Sequence, residues 1–224
     1  MKNPPKYLFL ENVLNFESSR CRERLVEVLR KRNYVIEEYL VSPVCLGIPN
    51  DRLRYYLIAC RQESQAHFTG KIIRTLPVDG PCESKKIQDY LDRECDPSFD
   101  VPLRYITDYK QYKHDVVHPL DTRSTTFTKA YGSKYIIGTG SFLQTKHLDM
   151  RDYPKDDPQV LQTLGLRFFT PDEVARLHCF PGDKFSFPDS ITRLQRYRLL
   201  GNSMNVRVVA YLLKRLFTEE IVNS

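Results

Sequence analysis

The sequence predicts an α/β protein, because three strand-like runs near its start are separated by a helical segment and a turn-rich loop. The runs are rich in Val, Ile, Leu and Tyr: YLFL (7–10), YVIEEYLV (34–41) and LRYYLIAC (53–60). Between the first two, apolar residues recur at helical spacing from Cys21 to Leu29. Strands that alternate with helices are typical of a sheet covered by helices.

Local signals predict where these early elements begin and end. Every residue of YLFL is apolar, which is typical of a parallel strand buried on both faces. Ser18 or Ser19 is placed to cap the helix that follows. We therefore expect Glu11 and Asn12, which come directly after the first strand, to lie at the carboxyl edge of the sheet.

The rest of the chain predicts a lobe followed by three helices. Residues 61–164 are polar, irregular and rich in proline, which indicates an inserted lobe of short elements. The helices are predicted within TPDEVARLHCFP (170–181), DSITRLQRYRLLGNS (189–203) and NVRVVAYLLKRLF (205–217). Thr170 begins a capping box for the first. Asp189 or Ser190 starts the second, and Gly201 follows its end. The third has a predicted apolar stripe: Val206, Val209, Ala210, Leu213 and Phe217.

Cysteine usage and hydropathy predict a soluble protein of the cytoplasm, with the nucleus as a further compartment. The six cysteines are scattered without a C-x-x-C pair, which favours reduced thiols over a disulfide framework. No apolar run approaches the roughly 20 residues of a membrane span, and the first ten residues lack a secretory signal. No membrane partner is therefore expected.

Basic residues cluster near the end of the chain. Between residues 190 and 217 there are six Lys or Arg and no Asp or Glu: Arg193, Arg196, Arg198, Arg207, Lys214 and Arg215. Such a segment attracts polyanions, nucleic acid first among them. A solvated helical face would explain the charge equally well.

Two groups of residues could carry chemistry. Glu11 at a sheet edge could exchange a proton or bind the amidine-like edge of a base, although it could also cap the next helix. Arg52 and Arg54 alternate at a strand start and are expected on opposite faces, one of them towards a pocket, although an exposed strand edge explains them equally well.

Two further groups are weaker signals. In LLGNSMNV, Asn202 and Ser203 offer compact hydrogen bonding beside Gly201, where a plain helix–helix turn is the alternative. His114 and His118 show i, i+4 spacing, but no third ligand is evident, so no metal site is expected.

Taken together, these segments resemble the cytosine-5 methyltransferase family. They occur in the family's order: FLENV (9–13), GIPNDRLRYYLIA (47–59), FTPDEVARLHCFP (169–181) and QRYRLLGNSMNV (195–206). TFTKAYGSKYIIGTGSFLQT (126–145) resembles the branch of transfer-RNA aspartate methyltransferases, historically grouped with DNA methyltransferases. That branch usually has cysteine where this chain has Thr126.

The resemblance implies a fold and a reaction. The fold is an incomplete Rossmann-like sheet of an S-adenosylmethionine-dependent methyltransferase with an inserted small target-recognition lobe. Residues 1–62 would form the C-terminal half of the catalytic domain, 63–164 the lobe, and 165–224 helices that return to the catalytic domain. In such enzymes a cysteine thiolate adds to carbon 6 of a flipped-out cytosine and activates carbon 5 to accept the methyl group of S-adenosyl-L-methionine.

The resemblance also implies roles for residues of this chain. Glu11 would hold N3 and the exocyclic amine of the cytosine, with Asn12 shaping its loop, and Arg54 would bind O2 with Arg52 as its companion. Asn202 and Ser203 would close over the cofactor. The nucleic acid, transfer RNA or alternatively DNA, would meet the GTGS turn (138–141) and four basic residues: Lys129, Lys134, Arg196 and Arg198.

Two elements of the family do not occur in these 224 residues: the glycine-rich turn F-x-G-x-G-G and the Pro-Cys dipeptide ahead of Glu-Asn-Val. Pro81–Cys82 follows the Arg-x-Arg strand instead, so Cys82 and Cys45 are expected to be ordinary free thiols. We therefore expect a C-terminal part of a methyltransferase, inactive alone and monomeric once complemented by an N-terminal half. A non-catalytic RNA-binding module and a DNA cytosine-5 methyltransferase are the alternatives.

Overall fold

The structure is a computed structural model that describes residues 3–62, 70–76, 83–108, 112–133 and 137–218. It divides into two compact units. The sheet unit comprises residues 1–46, 53–82 and 207–224, and the lobe unit comprises residues 47–52 and 83–206. These boundaries differ from the predicted segments, because most of the chain after residue 165 belongs to the lobe unit rather than to the unit that contains the sheet.

The sheet unit is built on a four-stranded mixed sheet in the order β1-β3-β2-β4. Its strands are β1 (Tyr7–Val13), β2 (Tyr34–Val41), β3 (Arg54–Arg61) and the short β4 (Ile72–Ile73). β3 runs antiparallel to both β1 and β2, whereas β4 pairs in parallel with β2. All three long strands were predicted, and the α/β class is confirmed.

The prediction for the first strand is wrong in two respects. β1 is hydrogen-bonded to an antiparallel neighbour, and its residues are half-buried rather than buried on both faces. It lies at the edge of the sheet that the described residues form. Strand direction depends on which partner lies alongside, and four apolar letters carry no information about that partner. The strand also continues through Glu11 and Asn12 to Val13.

Two helices of the sheet unit are amphipathic. α1 (Arg20–Arg30) is capped by Ser19, whose hydroxyl accepts the Arg22 N–H at 3.1 Å, as predicted. α6 (Val206–Phe217) forms as predicted, but its buried stripe is Val208, Leu212 and Leu216. The predicted stripe is wrong, since Phe217 is 60% exposed.

Two consecutive glutamates of β2 connect these helices to the sheet. Neighbouring residues on a strand point to opposite faces. Glu38 accepts two hydrogen bonds from the Arg22 guanidinium of α1. Glu37 likewise accepts two from the Arg215 guanidinium of α6, each with an N···O distance of 2.6 Å. Burial and the Glu38 carboxylate raise the pKa of the Tyr55 hydroxyl, which donates to Glu38 at 2.5 Å. The glutamates therefore attach one helix to each face.

The lobe unit consists of short elements, as predicted. It contains α2 (Leu103–Thr107), α3 (Pro158–Thr163), α4 (Pro171–Leu177) and α5 (Arg193–Gly201), with a parallel two-stranded ladder of β5 (Val116–Val117) and β6 (Phe142–Leu143). Within the described ranges, no helix has the length and apolarity needed to cross a lipid bilayer.

Helix capping in the lobe unit was predicted with mixed success. The capping box of Thr170 and Glu173 on α4 is confirmed. α5 starts later than predicted, with Thr192 rather than Asp189 or Ser190 as its N-cap. Gly201 is the last residue of α5 and does not follow it. All three candidate caps are residue types that favour this position, so local sequence alone does not rank them.

Candidate functional site

Glu11 and Arg54 form an ion pair on the sheet unit. Val13 lies opposite Arg54 in the ladder, and Glu11, two residues earlier, shares the face of Val13. Arg54 Nε is 3.6 Å from Glu11 Oε1, and the side chains are 16% and 21% exposed. Arg54 Nη1 also donates to the Leu53 carbonyl at 2.8 Å. A carboxylate and an oriented guanidinium therefore lie side by side with partial access to solvent, as binding of a planar polar group requires.

The alternative structural role for Glu11 is excluded. The cap of α1 is Ser19, so Glu11 does not cap that helix. Asn12 Oδ1 accepts the Val13 N–H at 2.8 Å, which fits the expectation that Asn12 shapes the local backbone. Glu11 lies inside β1, two residues before its end, rather than beyond the strand as predicted.

Arg52 has a different environment from Arg54. It belongs to the lobe unit, precedes β3 and is only 3% exposed. Its guanidinium donates to the carbonyls of Phe127 at 3.2 Å, Gly201 at 2.8 Å and Ser203 at 2.5 Å. A cation at the C-terminal end of α5 is also favoured by the helix dipole. Arg52 therefore joins three backbone segments.

The expectation that Arg52 and Arg54 diverge as alternating residues of one strand is wrong. Side chains two residues apart on a strand lie on the same face of the sheet, so strand geometry would place Arg52 and Arg54 together. Arg52 also lies outside the strand, where the loop conformation directs its side chain to carbonyls of the lobe unit.

Arg52→Ala should lower the free energy of unfolding by about 2–3 kcal/mol, because buried carbonyls lose a charged donor. Arg54→Ala is the matched control and should cost less than about 1 kcal/mol, since its ion pair is partly exposed and long. Urea unfolding followed by circular dichroism measures both values. Equal losses for the two variants would contradict the structural role of Arg52.

Asn202 and Ser203, which the sequence predicts to act together on the cofactor, have different environments in the turn after Gly201. Asn202 is exposed, and its side-chain amide makes no hydrogen bond to any residue in the described part of the chain, whereas its backbone N–H donates to the Arg198 carbonyl at 3.2 Å. Ser203 Oγ donates to the Leu200 carbonyl at 2.7 Å, so this hydroxyl closes the last turn of α5. Asn202 is therefore available to a ligand, whereas the Ser203 hydroxyl already has an acceptor.

The four basic residues predicted to bind nucleic acid are not equivalent. Lys129 and Arg198 are exposed. Arg196 is half-buried, with its guanidinium 5.3 Å from the centre of the Phe187 ring and its Nε donating to the Ile191 carbonyl at 3.3 Å. Lys134, like Cys82, lies outside the described residues. Lys129 and Arg198 are thus the two described members that are accessible to a polyanion.

The GTGS turn is mainly an internal structure. Thr139 and Ser141 are buried, and the Ser141 hydroxyl donates to Asp115 while accepting the Thr125 N–H at 2.9 Å. Gly140 has φ +151°, and a Cβ there would lie 2.7 Å from the Tyr131 ring and 2.8 Å from that of Phe127. The expectation that this motif faces nucleic acid therefore fails for Thr139 and Ser141, since both side chains are buried.

A cavity in the lobe unit was not predicted. Its volume is 290 Å³, and His114, Asp115, Thr125 and Phe142 are among the residues that line it. The sequence pattern singles out His114 only through its i, i+4 spacing to His118. His118 instead uses both ring nitrogens on backbone groups, the Leu148 carbonyl at 3.1 Å and the Leu120 N–H at 3.0 Å. In the described ranges, no three His, Cys, Asp or Glu side chains are grouped to hold a metal ion.

His114 is 3% exposed, and burial lowers the pKa of its imidazole. The unfolded chain therefore binds a proton at this residue at a higher pH than the folded chain does. The stability that neutral His114 contributes is present above its ordinary pKa of about 6.5 and is lost as the pH falls through the lowered value.

His114→Leu should remove this part of the pH dependence. Its free energy of unfolding should fall less than that of the natural chain between about pH 7 and pH 5, as measured by urea unfolding at each pH. Parallel pH profiles for the two proteins would show that His114 does not titrate differently in the folded state.

Comparisons with known proteins identify the family of this chain. The sequence profile of the family described as C-5 cytosine-specific DNA methylase matches residues 1–218. The tRNA (cytosine(38)-C(5))-methyltransferase of Homo sapiens is 34% identical over 280 residues, which cover 95% of this chain and 71% of the relative. The chain spans about two thirds of the length of such relatives.

Solved structures show the same likeness. A Spodoptera frugiperda DNMT2 variant superposes with a TM-score of 0.81 at 34% identity, over 95% of this chain and 66% of the other. The Schizosaccharomyces pombe Dnmt2 methyltransferase superposes with a TM-score of 0.80 at 33% identity, over 99% and 69%. These values confirm the methyltransferase fold class.

Proposed function

Because this chain belongs to the C-5 cytosine methyltransferase family, we propose that it supplies the base-holding part of an enzyme that methylates cytosine in transfer RNA. The observation that carries the proposal is the Glu11–Arg54 pair on adjacent strands. Relatives named tRNA (cytosine(38)-C(5))-methyltransferase make cytosine 38 the proposed target. S-Adenosyl-L-methionine is the proposed cofactor, and it supplies the methyl group when bound.

The pair matches the polar edge of a flipped-out cytosine. Glu11 would hold N3 and the exocyclic amine, and the Arg54 guanidinium would donate to O2. Proton donation to N3 by the Glu11 carboxyl withdraws electrons from carbon 6 and so favours addition of a thiolate there. Arg52 contributes indirectly, since it fixes the turn that carries Asn202.

The 224 residues supply only part of this chemistry. Asn202, whose side-chain amide lacks a partner among the described residues, would contact the cofactor, while the Ser203 hydroxyl holds the turn. The thiolate and the glycine-rich turn would come from a polypeptide that carries those elements. We therefore propose that this chain alone transfers no methyl group and acts as a monomer within the complemented enzyme.

The proposed nucleic-acid partner is transfer RNA, with DNA as the alternative substrate. Lys129 and Arg198 support binding of a phosphate backbone because both are exposed. Arg196 and Lys134 stay predicted contacts. The cytoplasm, with the nucleus as a further compartment, is the proposed location. It is supported by the five described cysteines, none of which forms a disulfide: Cys21, Cys45, Cys60, Cys95 and Cys179.

Complementation tests the proposal. The chain is mixed with a separately made polypeptide that carries the glycine-rich turn and the Pro-Cys dipeptide, and transfer of labelled methyl groups is measured. We expect transfer to a transfer-RNA transcript by the mixture and none by either part alone. A transcript with uridine at position 38 and a DNA duplex serve as substrate controls. Absence of transfer despite a demonstrated complex would contradict the proposal.

A non-catalytic RNA-binding module is the second candidate, favoured by the exposure of Lys129 and Arg198. It predicts binding of transfer RNA by this chain alone, with affinity that falls steeply as salt rises. Neutralising Lys129 and Arg198 together should weaken this binding and reduce its salt dependence. Binding that is unaffected by those changes would exclude the module.

A further inference from the structure

The 290 Å³ cavity of the lobe unit has the features of a small binding site. Its volume is close to the lower limit of about 300 Å³ for ligand pockets. One part of its lining is aromatic, formed by Tyr112, His114 and Phe142. The His114 and Phe142 rings lie 5.5 Å apart at 33°, and Tyr112 meets His114 edge-on at 5.3 Å. This lining offers flat apolar surface to a planar ligand.

His114 supplies a polar atom that no described residue satisfies. His114 is only 3% exposed. Its Nε2 is fully buried and has no hydrogen-bond partner within the described ranges. A buried nitrogen without a partner is unfavourable in the folded protein. Less than 1 Å² of this atom is accessible, so a ligand in the cavity reaches it only when the imidazole ring shifts towards the cavity. A hydrogen bond made in that way would remove the penalty.

Asp115 supplies a fixed acceptor on the same lining. Its Oδ2 accepts from Thr125 Oγ1 at 3.0 Å and from the Ser141 hydroxyl. Its Oδ1 makes no hydrogen bond to any residue of the described chain, so it is available to a donor. Because Ser141 is buried, its hydroxyl cannot turn to solvent and the carboxylate keeps its orientation.

We propose that this cavity receives an unstacked nucleobase of the RNA other than the target cytosine, and that guanine fits best. The assignment rests on the proposed RNA substrate. Guanine presents adjacent imino and amino donors that suit a carboxylate, and acceptors at O6 and N7 that suit an imidazole N–H. Unpaired bases in RNA are bound in this way, by stacking on aromatic rings and by hydrogen bonds to their edges.

Nuclear magnetic resonance of the histidine ring nitrogens tests the assignment with the 224-residue chain and guanosine 5′-monophosphate. The His114 Nε2 resonance should shift saturably with this nucleotide, and at least fivefold more weakly with the adenosine and cytidine monophosphates. Ribose 5-phosphate should cause no shift. Asp115→Asn should weaken binding of guanosine 5′-monophosphate at least tenfold. His147→Asn, at an exposed position with φ +50°, should leave this binding unchanged.

Three results would overturn the assignment. The first is no shift of His114 Nε2 at millimolar guanosine 5′-monophosphate. The second is an equal shift with ribose 5-phosphate. The third is a shift caused by Mg²⁺ or Zn²⁺ alone, which would identify a cation site instead. If circular dichroism shows that Asp115→Asn is unfolded, His114→Phe is used instead. In that variant guanosine 5′-monophosphate should no longer cause a saturable shift in the amide resonances of residues 138–142.

The complemented enzyme separates this assignment from the proposed function. His114→Phe should raise the KM for transfer RNA at least fivefold and leave kcat unchanged, because the cavity binds RNA without touching the reacting cytosine. Methyl transfer with an unchanged KM would refute the cavity assignment and leave the proposed function intact. Nucleotide binding by His114 without any methyl transfer by the complemented enzyme would refute the proposed function and keep the cavity as a nucleobase site.

Discussion

Replacing Glu11 by glutamine is expected to lower methyl transfer by the complemented enzyme by about 100-fold to 10,000-fold. The amide keeps the shape of the side chain but cannot donate a proton to cytosine N3. Stability should change by less than about 1 kcal/mol, since the Glu11–Arg54 pair is partly exposed and its N···O distance is 3.6 Å. Initial rates at saturating transfer RNA and cofactor measure the effect on kcat.

Glu23→Gln is the matched control for this substitution. Glu23 is an exposed glutamate in the first turn of α1, so the same chemical change there should leave the transfer rate within a factor of two. If Glu11→Gln keeps more than a tenth of the natural rate, Glu11 is not the proton donor to the base.

Gly201→Ala is expected to destabilise the lobe unit by about 3 kcal/mol or more, or to prevent its folding. A Cβ at this position would lie 2.1 Å from the Lys129 nitrogen, 2.3 Å from the Thr128 carbonyl carbon and 2.5 Å from Lys129 Cα. All three are backbone atoms, so no side chain can rotate away to relieve the clash. Urea unfolding and the yield of folded protein measure the loss.

Gly182→Ala provides the comparison. A Cβ there meets nothing within 4 Å, so this substitution should be neutral or stabilise the chain by up to about 1 kcal/mol through the unfolded state. A Gly201→Ala variant as stable as Gly182→Ala would show that α5 does not approach the backbone of residues 128–129 this closely.

Elements defined by local chemistry could be predicted from the sequence. β2 and β3 follow from runs of β-branched and aromatic residues, and α4 follows from the capping box that begins at Thr170. α5 was predicted as a helix, but its start was not, because several adjacent residues can each cap a helix. The direction of β1 was wrong because it depends on β3, more than 40 positions away in the ladder.

Only the part of the candidate site that local motifs define could be predicted from the sequence. Glu11 and Arg54 were nominated from motifs, and the structure places them beside each other on adjacent strands. The role of Arg52 was not predictable, since two of its acceptors lie about 150 residues away in sequence. The cavity beside His114 was also missed, because its lining comes from segments that only the folded lobe unit brings together.

The most direct test of the central claim is a thermodynamic cycle between Glu11 and the exocyclic amine of the target cytosine. The dissociation constant of the complemented protein is measured for transfer RNA with cytidine or with a 2-pyrimidinone ribonucleoside, which lacks that amine, at position 38. Both RNAs are tested with the natural chain and with Glu11→Ala.

We predict that loss of the amine weakens binding by the natural chain by about 1–3 kcal/mol and has little effect on binding by Glu11→Ala. The two changes would then share one interaction, as expected if the carboxylate holds the amine. Equal losses in the two proteins would show that the changes are independent, and Glu11 would not contact the cytosine.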